Sequence, residues 1–210
     1  MMASERVHFE QSELIQRYFQ DPEWTRFDVK TEAVLKRRHE FFAGRVCAAL
    51  AYKKLTAKDL IELPINADRS PRWPKGIVGS ISHNEKFVAA EVSSSVSGLG
   101  IDLATLGSVG DHLKTNICTQ DDIDLNLTYV FSFKESLFKA VYPITNEFFD
   151  FQSASVVKVD LENKTFQIVL DEKISKLLKQ KINYPESKIT FNGDYSFLDA
   201  QTILSRVVLL

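Results

Sequence analysis

Gly98-Leu99-Gly100-Ile101-Asp102-Leu103-Ala104 is the stretch from which the rest of this chain is best read. It is a short apolar run with glycines at its start and one carboxylate inside it. Leu99–Leu103 fits a strand. Strand alternation puts Leu99, Ile101 and Leu103 on one face, and Asp102 with Ala104 on the other. A carboxylate amid apolar residues is costly unless it is paired, hydrogen-bonded or metal-bound. Asp102 is therefore a candidate site residue, with a turn-facing Asp at a strand end as the plainer reading. The run is not a dinucleotide fingerprint, because the third glycine and the following helix are missing.

Upstream, Phe87–Val92 also fits a strand, and Ser93–Gly98 reads as the turn between the two. Thr31–Leu55 reads as a helix on the recurrence of Val34, Phe42, Val46, Ala49 and Leu50. Gly44 inside that helix suggests a close approach to its backbone. Pro64, Asn66, Asp68, Ser70, Pro71 and Pro74 mark a loop. Downstream, Ser132–Tyr142 reads as a second helix, stopped by Pro143. Val156–Val159 and Phe166–Leu170 form a hairpin pattern, and Asp171–Ile182 an amphipathic helix. Ile189–Phe191 and Ile203–Val208 look like closing strands. Strands with one principal helix in each half predict an α+β chain of two similar subdomains. Gly107–Asp111 is the candidate boundary, giving residues 1–107 and 108–210.

Composition removes several classes. The chain is 44% hydrophobic and 26% charged, which excludes a disordered chain, and its formal net charge of −2 argues against a nucleic-acid coat. The two cysteines, Cys47 and Cys118, lack metal-ligand spacing and read as reduced thiols. The first twenty residues show no apolar signal core, and no window is long and apolar enough to span a membrane. The expectation is a cytoplasmic protein.

The charge is uneven. Arg26 to Lys54 holds eight Lys/Arg against three Asp/Glu. Arg38 and Arg45 are nearly aligned on the predicted helix, and Arg37 shares their broad face. Arginine forks suit phosphate oxygens; alone, the run also describes a solvated helix face. Pro71-Arg72-Trp73-Pro74-Lys75-Gly76-Ile77-Val78-Gly79-Ser80-Ile81-Ser82-His83 reads as an irregular turn before a strand. Its N–H groups and hydroxyls can hold phosphate. No G-x-S-x-G elbow supports a serine hydrolase. In Phe131-Ser132-Phe133-Lys134-Glu135-Ser136-Leu137-Phe138-Lys139-Ala140, Glu135 and Lys139 stand one helical turn apart, which by itself describes a surface ion pair.

In combination the four motifs are specific. Their order, with Lys36-Arg37-Arg38-His39-Glu40-Phe41-Phe42-Ala43-Gly44-Arg45 and Phe148-Phe149-Asp150-Phe151, resembles the 4′-phosphopantetheinyl transferases, most of all the siderophore-synthase type of the enterobactin synthase component D group. The resemblance runs from about Ala33 to Thr202. It implies two α+β subdomains as a pseudo-dimer, with the site in the cleft between them, and a monomer. It implies transfer of 4′-phosphopantetheine from coenzyme A to a serine of an apo acyl, peptidyl or aryl carrier protein. Arg37 and Arg45 would hold coenzyme A phosphates, with Arg38 as a competitor. Ser82 and His83 would grip the nucleotide end. Asp102 and Glu135 would ligate magnesium, Lys134 and Lys139 would face the diphosphate, and Glu135 would take the serine proton.

One departure bears on the metal. The group reads Gly-Ile-Asp-x-Glu, and this chain carries Ala104 in place of the Glu. One ligand is lost, which water can replace. The rival expectation is a degenerate, non-catalytic coenzyme A- or carrier-binding protein. The carrier served, whether of siderophore, polyketide or fatty acid synthesis, is not written in the motifs.

Overall fold

The computed structural model describes residues 4–28, 34–182 and 190–210. The chain divides into two compact units, Met1–Ser95 and Val96–Leu210.

The first unit starts with β1 (Ser4–Glu10) and α1 (Gln11–Tyr18), continues through α2 (Leu35–Thr56), and ends with β2 (Val78–His83) and β3 (Phe87–Ser93). Its sheet is antiparallel in the order β1-β3-β2. Helix α2 lies over it, with Phe42, Ala43, Val46 and Cys47 packed against Val88 and Ala90 of β3. Ala57, in the left-handed region at φ 58°, ends the helix and donates its N–H to Lys53 O. The opening of the expected helix, 31–33, lies outside the described residues. Val34 is not on its apolar face: it precedes the helix and is 77% exposed. Gly44 does meet a neighbour, since a Cβ there would stand 3.0 Å from Ile81 Cγ2.

Two expectations fail in this unit. The Gly79–His83 run is not an irregular turn but strand β2, hydrogen-bonded along β3. Its glycine serves packing: a Cβ at Gly79 would meet the Trp73 ring at 2.6 Å. Ser93–Gly98 is not a hairpin turn either. β3 pairs with β1 and β2, whereas the next strand joins another sheet.

That strand, β4 (Gly98–Thr105), opens the second unit. After α3 (Lys114–Ile117) come α4 (Leu127–Thr145), β5 (Ala154–Asp160), β6 (Thr165–Leu170), α5 (Glu172–Ile182), β7 (Thr190–Phe197) and β8 (Thr202–Leu209). The sheet is antiparallel in the order β4-β8-β7-β6-β5. The division therefore falls after Ser95 and not after residue 107. β4 is bound to β8 along its whole length, and Gly107, at φ 81°, is a tight turn within the unit. Ile189, the expected start of β7, lies outside the described residues.

Helix α4 is longer than its apolar pattern suggests. Asn126 caps it by accepting the Thr128 N–H at 3.0 Å. Pro143 sits in its last turn without stopping it; the end is Asn146, left-handed at φ 53°. The helix lies directly on β4, where glycine is obligatory: a Cβ at Gly100 would stand 1.9 Å from Ser136 O. Phe133, Leu137 and Val141 fill the core with Phe166, Ile168, Ile174, Leu178 and Val207. The α+β class holds, and in each unit one long helix covers an antiparallel sheet.

Candidate functional site

In the first unit, α2 and β2 border a cavity of about 500 Å³ lined by Arg37, Arg38, Glu40, Phe41, Gly44, Arg45, Ile65, Arg69, Ile81 and His83. Four guanidinium groups thus meet one hollow. Arg45 is 8% exposed, and its guanidinium lies 3.5 Å from the Phe41 ring centroid. Its buried Nε has no hydrogen-bond partner among the described residues. Burial pushes its pKa down to about 10, the mark of a cation short of an anion. Arg38 differs: its Nη2 stands 2.6 Å from Asp28 Oδ2.

Of the two β2 residues expected here, His83 reaches the cavity. Ser82 does not line it; alternation along β2 turns its side chain to the other face, where it is buried. Arg69 was not singled out from the sequence. It sits at φ 70° in a turn where Asp68 Oδ1 accepts the Ser70 N–H at 2.9 Å. A basic residue inside the Asn66–Pro71 loop was the available signal.

In the second unit, Asp102 is 5% exposed on β4 and faces α4 on the side of Gly100. Ser205 pins this corner: its Oγ donates to Ser132 O at 2.9 Å and stands 3.5 Å from Asp102 O. Lys139 Nζ lies 2.7 Å from Asp102 Oδ1. Burial raises the Glu135 pKa, Lys139 opposes that rise, and Asp102 adds to it, so the three groups share one electrostatic neighbourhood. Ala104 lies buried on the same strand.

Lys134 is a correction. It does not face a diphosphate. Its ammonium is 2% exposed and points into the unit, donating to Ile117 O at 2.8 Å, Asp122 Oδ2 at 2.6 Å and Phe151 O at 3.1 Å. All three donors are used, and the cation caps the carbonyl end of α3. Lys134 also borders a cavity of about 150 Å³, together with Glu135, Phe138, Phe148, Phe149, Asp150, Phe151 and Ala154. Phe148, Phe149 and Phe151 therefore wall this hollow with aromatic rings, and Lys134, Glu135 and Asp150 are its charged lining.

Asp102 and Glu135 are hard oxygen donors of the kind magnesium takes, usually one or two carboxylates completed by phosphate and water. Among the described residues no three His, Cys, Asp or Glu side chains gather as a metal cage. The pair fits a magnesium ion shared with a substrate's phosphates.

Comparison with known proteins matches both units. Residues 27–93 match the 4′-phosphopantetheinyl transferase N-terminal domain, and residues 98–195 match the 4′-phosphopantetheinyl transferase superfamily. Enterobactin synthase component D of Escherichia coli (strain K12) is 32% identical over 148 residues, 63% of this chain and 71% of that protein. This chain belongs to the 4′-phosphopantetheinyl transferase superfamily. The 4′-phosphopantetheinyl transferase Svp of Streptomyces mobaraensis is 34% identical over 149 residues, covering 64% of this chain and 59% of Svp. The transferase Npt of Nocardia iowensis is 29% identical over 136 residues, 60% of this chain and 61% of Npt. The chain thus spans about six-tenths of those two relatives. The superfamily's two matched segments part between residues 93 and 98, where the two units also divide. Among the described residues no helix is long and apolar enough to cross a membrane.

Proposed function

We propose that this chain transfers 4′-phosphopantetheine from coenzyme A to a serine of an apo carrier protein, releasing adenosine 3′,5′-bisphosphate. The observation that carries the reading is the half-buried Asp102–Lys139 pair beside Glu135, within the segment that matches the superfamily. The arginine-lined cavity supports it, because its cations suit the nucleotide phosphates.

Arg45, Arg37 and Arg69 bind phosphate oxygens, and His83 donates to the same end. Arg38 contributes less, since Asp28 already neutralises it. Asp102 and Glu135 would hold a magnesium ion, which would supply polarisation of the diphosphate. The aromatic-walled hollow at Glu135 takes the pantetheine arm. Glu135 accepts the proton of the carrier serine, directly or through one water. The serine oxygen bonds to the phosphorus that bears pantetheine, and the bond from that phosphorus to the bridging oxygen breaks. Lys139 neutralises the charge left on the departing bisphosphate. The nucleophile comes from the partner, so no nucleophilic triad is needed in this chain.

The carriers we favour are those of siderophore synthesis, because component D is among the relatives. The coenzyme and carriers are cytoplasmic, and one chain supplies every residue named, so a cytoplasmic monomer suffices. The test is the mass of an apo carrier protein incubated with coenzyme A and magnesium. A gain of about 340 Da on the serine, the size of one phosphopantetheine ester, is expected. No gain, with coenzyme A still bound, supports the non-catalytic binding protein to which Ala104 gives some motive. A panel of siderophore, polyketide and fatty acid carriers assayed in parallel identifies the class served.

A further inference from the structure

The free site is not an acidic hollow waiting for a cation. Lys139 Nζ already lies 2.7 Å from Asp102 Oδ1, with the two side chains 26% and 8% exposed. Water screens so enclosed a pair weakly, so the ammonium is a strong local counter-ion. Ala104, next along the same face of β4, adds no carboxylate. With both carboxylates ionised, Asp102, Glu135 and Lys139 together carry one net negative charge.

A divalent ion arriving alone would meet two carboxylates, one of them engaged, and would leave the trio with a net positive charge in a buried place. Uncompensated buried charge is expensive. A divalent ion arriving with a diphosphate brings oxygen ligands and two negative charges. It also offers the displaced ammonium a new anion.

We propose that Lys139 is the resident counter-ion of Asp102 and keeps divalent cations out of the free protein, so that the cation enters only together with the coenzyme A diphosphate. The identity of the diphosphate rests on the proposed function; the guarding role of Lys139 does not.

Manganese, followed by the spin-resonance signal of the free ion, tests both parts against a coenzyme A blank without protein. The wild-type chain is expected to bind manganese at least about tenfold more tightly with coenzyme A than without it, and adenosine 3′,5′-bisphosphate, which has no diphosphate, is expected to give no such gain. Lys139→Met and Ala104→Glu, each without coenzyme A, are expected to bind manganese about tenfold more tightly than the wild type. Lys139→Arg, which keeps the counter-ion, is expected to behave as the wild type. Equal affinity of the wild type with and without bound coenzyme A overturns the proposal. So does the absence of any gain in Lys139→Met when its melting curve is that of a folded protein. If Lys139→Met fails to fold, Lys139→Gln decides, because it removes the charge and keeps a polar side chain of similar length. Calorimetry of coenzyme A binding without metal separates the two readings. A gain in Lys139→Met with no coenzyme A binding supports the guard and removes the proposed function. Coenzyme A binding with no gain does the reverse.

Discussion

Lys134 Nζ stands 2.6 Å from Asp122 Oδ2, and both side chains are 2% exposed. Asp122 also accepts the Thr119 N–H and the Val156 N–H, each at 2.6 Å. Two neighbouring positions on one helix thus have different tasks. Lys134 ties α4 to the 117–122 segment and the Phe151 turn, while Glu135 faces the hollow. Removing one partner of such a pair leaves a buried charge and costs about 3–5 kcal/mol. Lys134→Met should lower the melting temperature by roughly 10 °C, and Asp122→Leu added to it should recover part of that loss. Calorimetric melts of the single and double variants check this. Equal melting of Lys134→Met and wild type contradicts it.

Gly100 makes a second prediction about stability that reaches the site. Its missing Cβ would collide with Ser136 O at 1.9 Å and Ala140 N at 2.6 Å. Both are backbone atoms, which cannot turn aside. Gly100→Ala should cost about 1–3 kcal/mol or more by prising β4 from α4. It should also reduce transfer, because Asp102 on β4 and Glu135 on α4 then part. Chemical denaturation and carrier labelling measure the two effects on one sample.

The two arginines most alike in sequence should differ in solution. Arg45 is buried with an unpartnered Nε, whereas Arg38 has Asp28 at 2.6 Å. Arg45→Ala should weaken coenzyme A binding by roughly tenfold or more, and Arg38→Ala by clearly less. Titration calorimetry ranks them, and a larger loss for Arg38→Ala contradicts the assignment.

The pH dependence of stability should report on Glu135. Burial first, then the Asp102 charge, hold its carboxyl above the ordinary range, against the pull of Lys139. The folded protein therefore binds this proton more tightly than the unfolded chain does. The stability it contributes is present below the ordinary carboxylate range and is lost as pH rises through the raised value. Glu135→Gln should melt higher than wild type at neutral pH, and the gap should close on acidification. Melts in a chelator, free of divalent ions, give the comparison; a gap that does not change with pH contradicts it.

Much of the site was legible because its spacing is short or periodic. Glu135 and Lys139 lie one helical turn apart, and alternation alone put Asp102 and Ala104 on one face of a strand. What escaped depended on distant partners. Lys134 turns inward because its acceptors come from residues 117, 122 and 151, which no local pattern connects to it. The Gly79–His83 run reads as a turn because its glycine and serines look irregular, and only its pairing with β3 makes it a strand. The same ambiguity hid the face on which Ser82 lies. β3 and β4 looked like a hairpin, since each is apolar and only a few residues separate them. Their sheets are completed from opposite directions along the chain, by β1 upstream and by β8 downstream.

That last arrangement bears on biosynthesis. Ser205, which secures the Asp102 corner, lies 103 residues further along the chain. While the ribosome is still making the intervening segment, β4 has emerged but its partner strand does not yet exist. The first unit, whose strands pair only among themselves, can close in that interval. The Asp102 and Glu135 carboxylates cannot assume their final spacing until β8 is translated and slots between β4 and β7. Contacts so far apart in sequence form slowly, and until then β4 presents an open edge that a chaperone, or another nascent chain, can meet first.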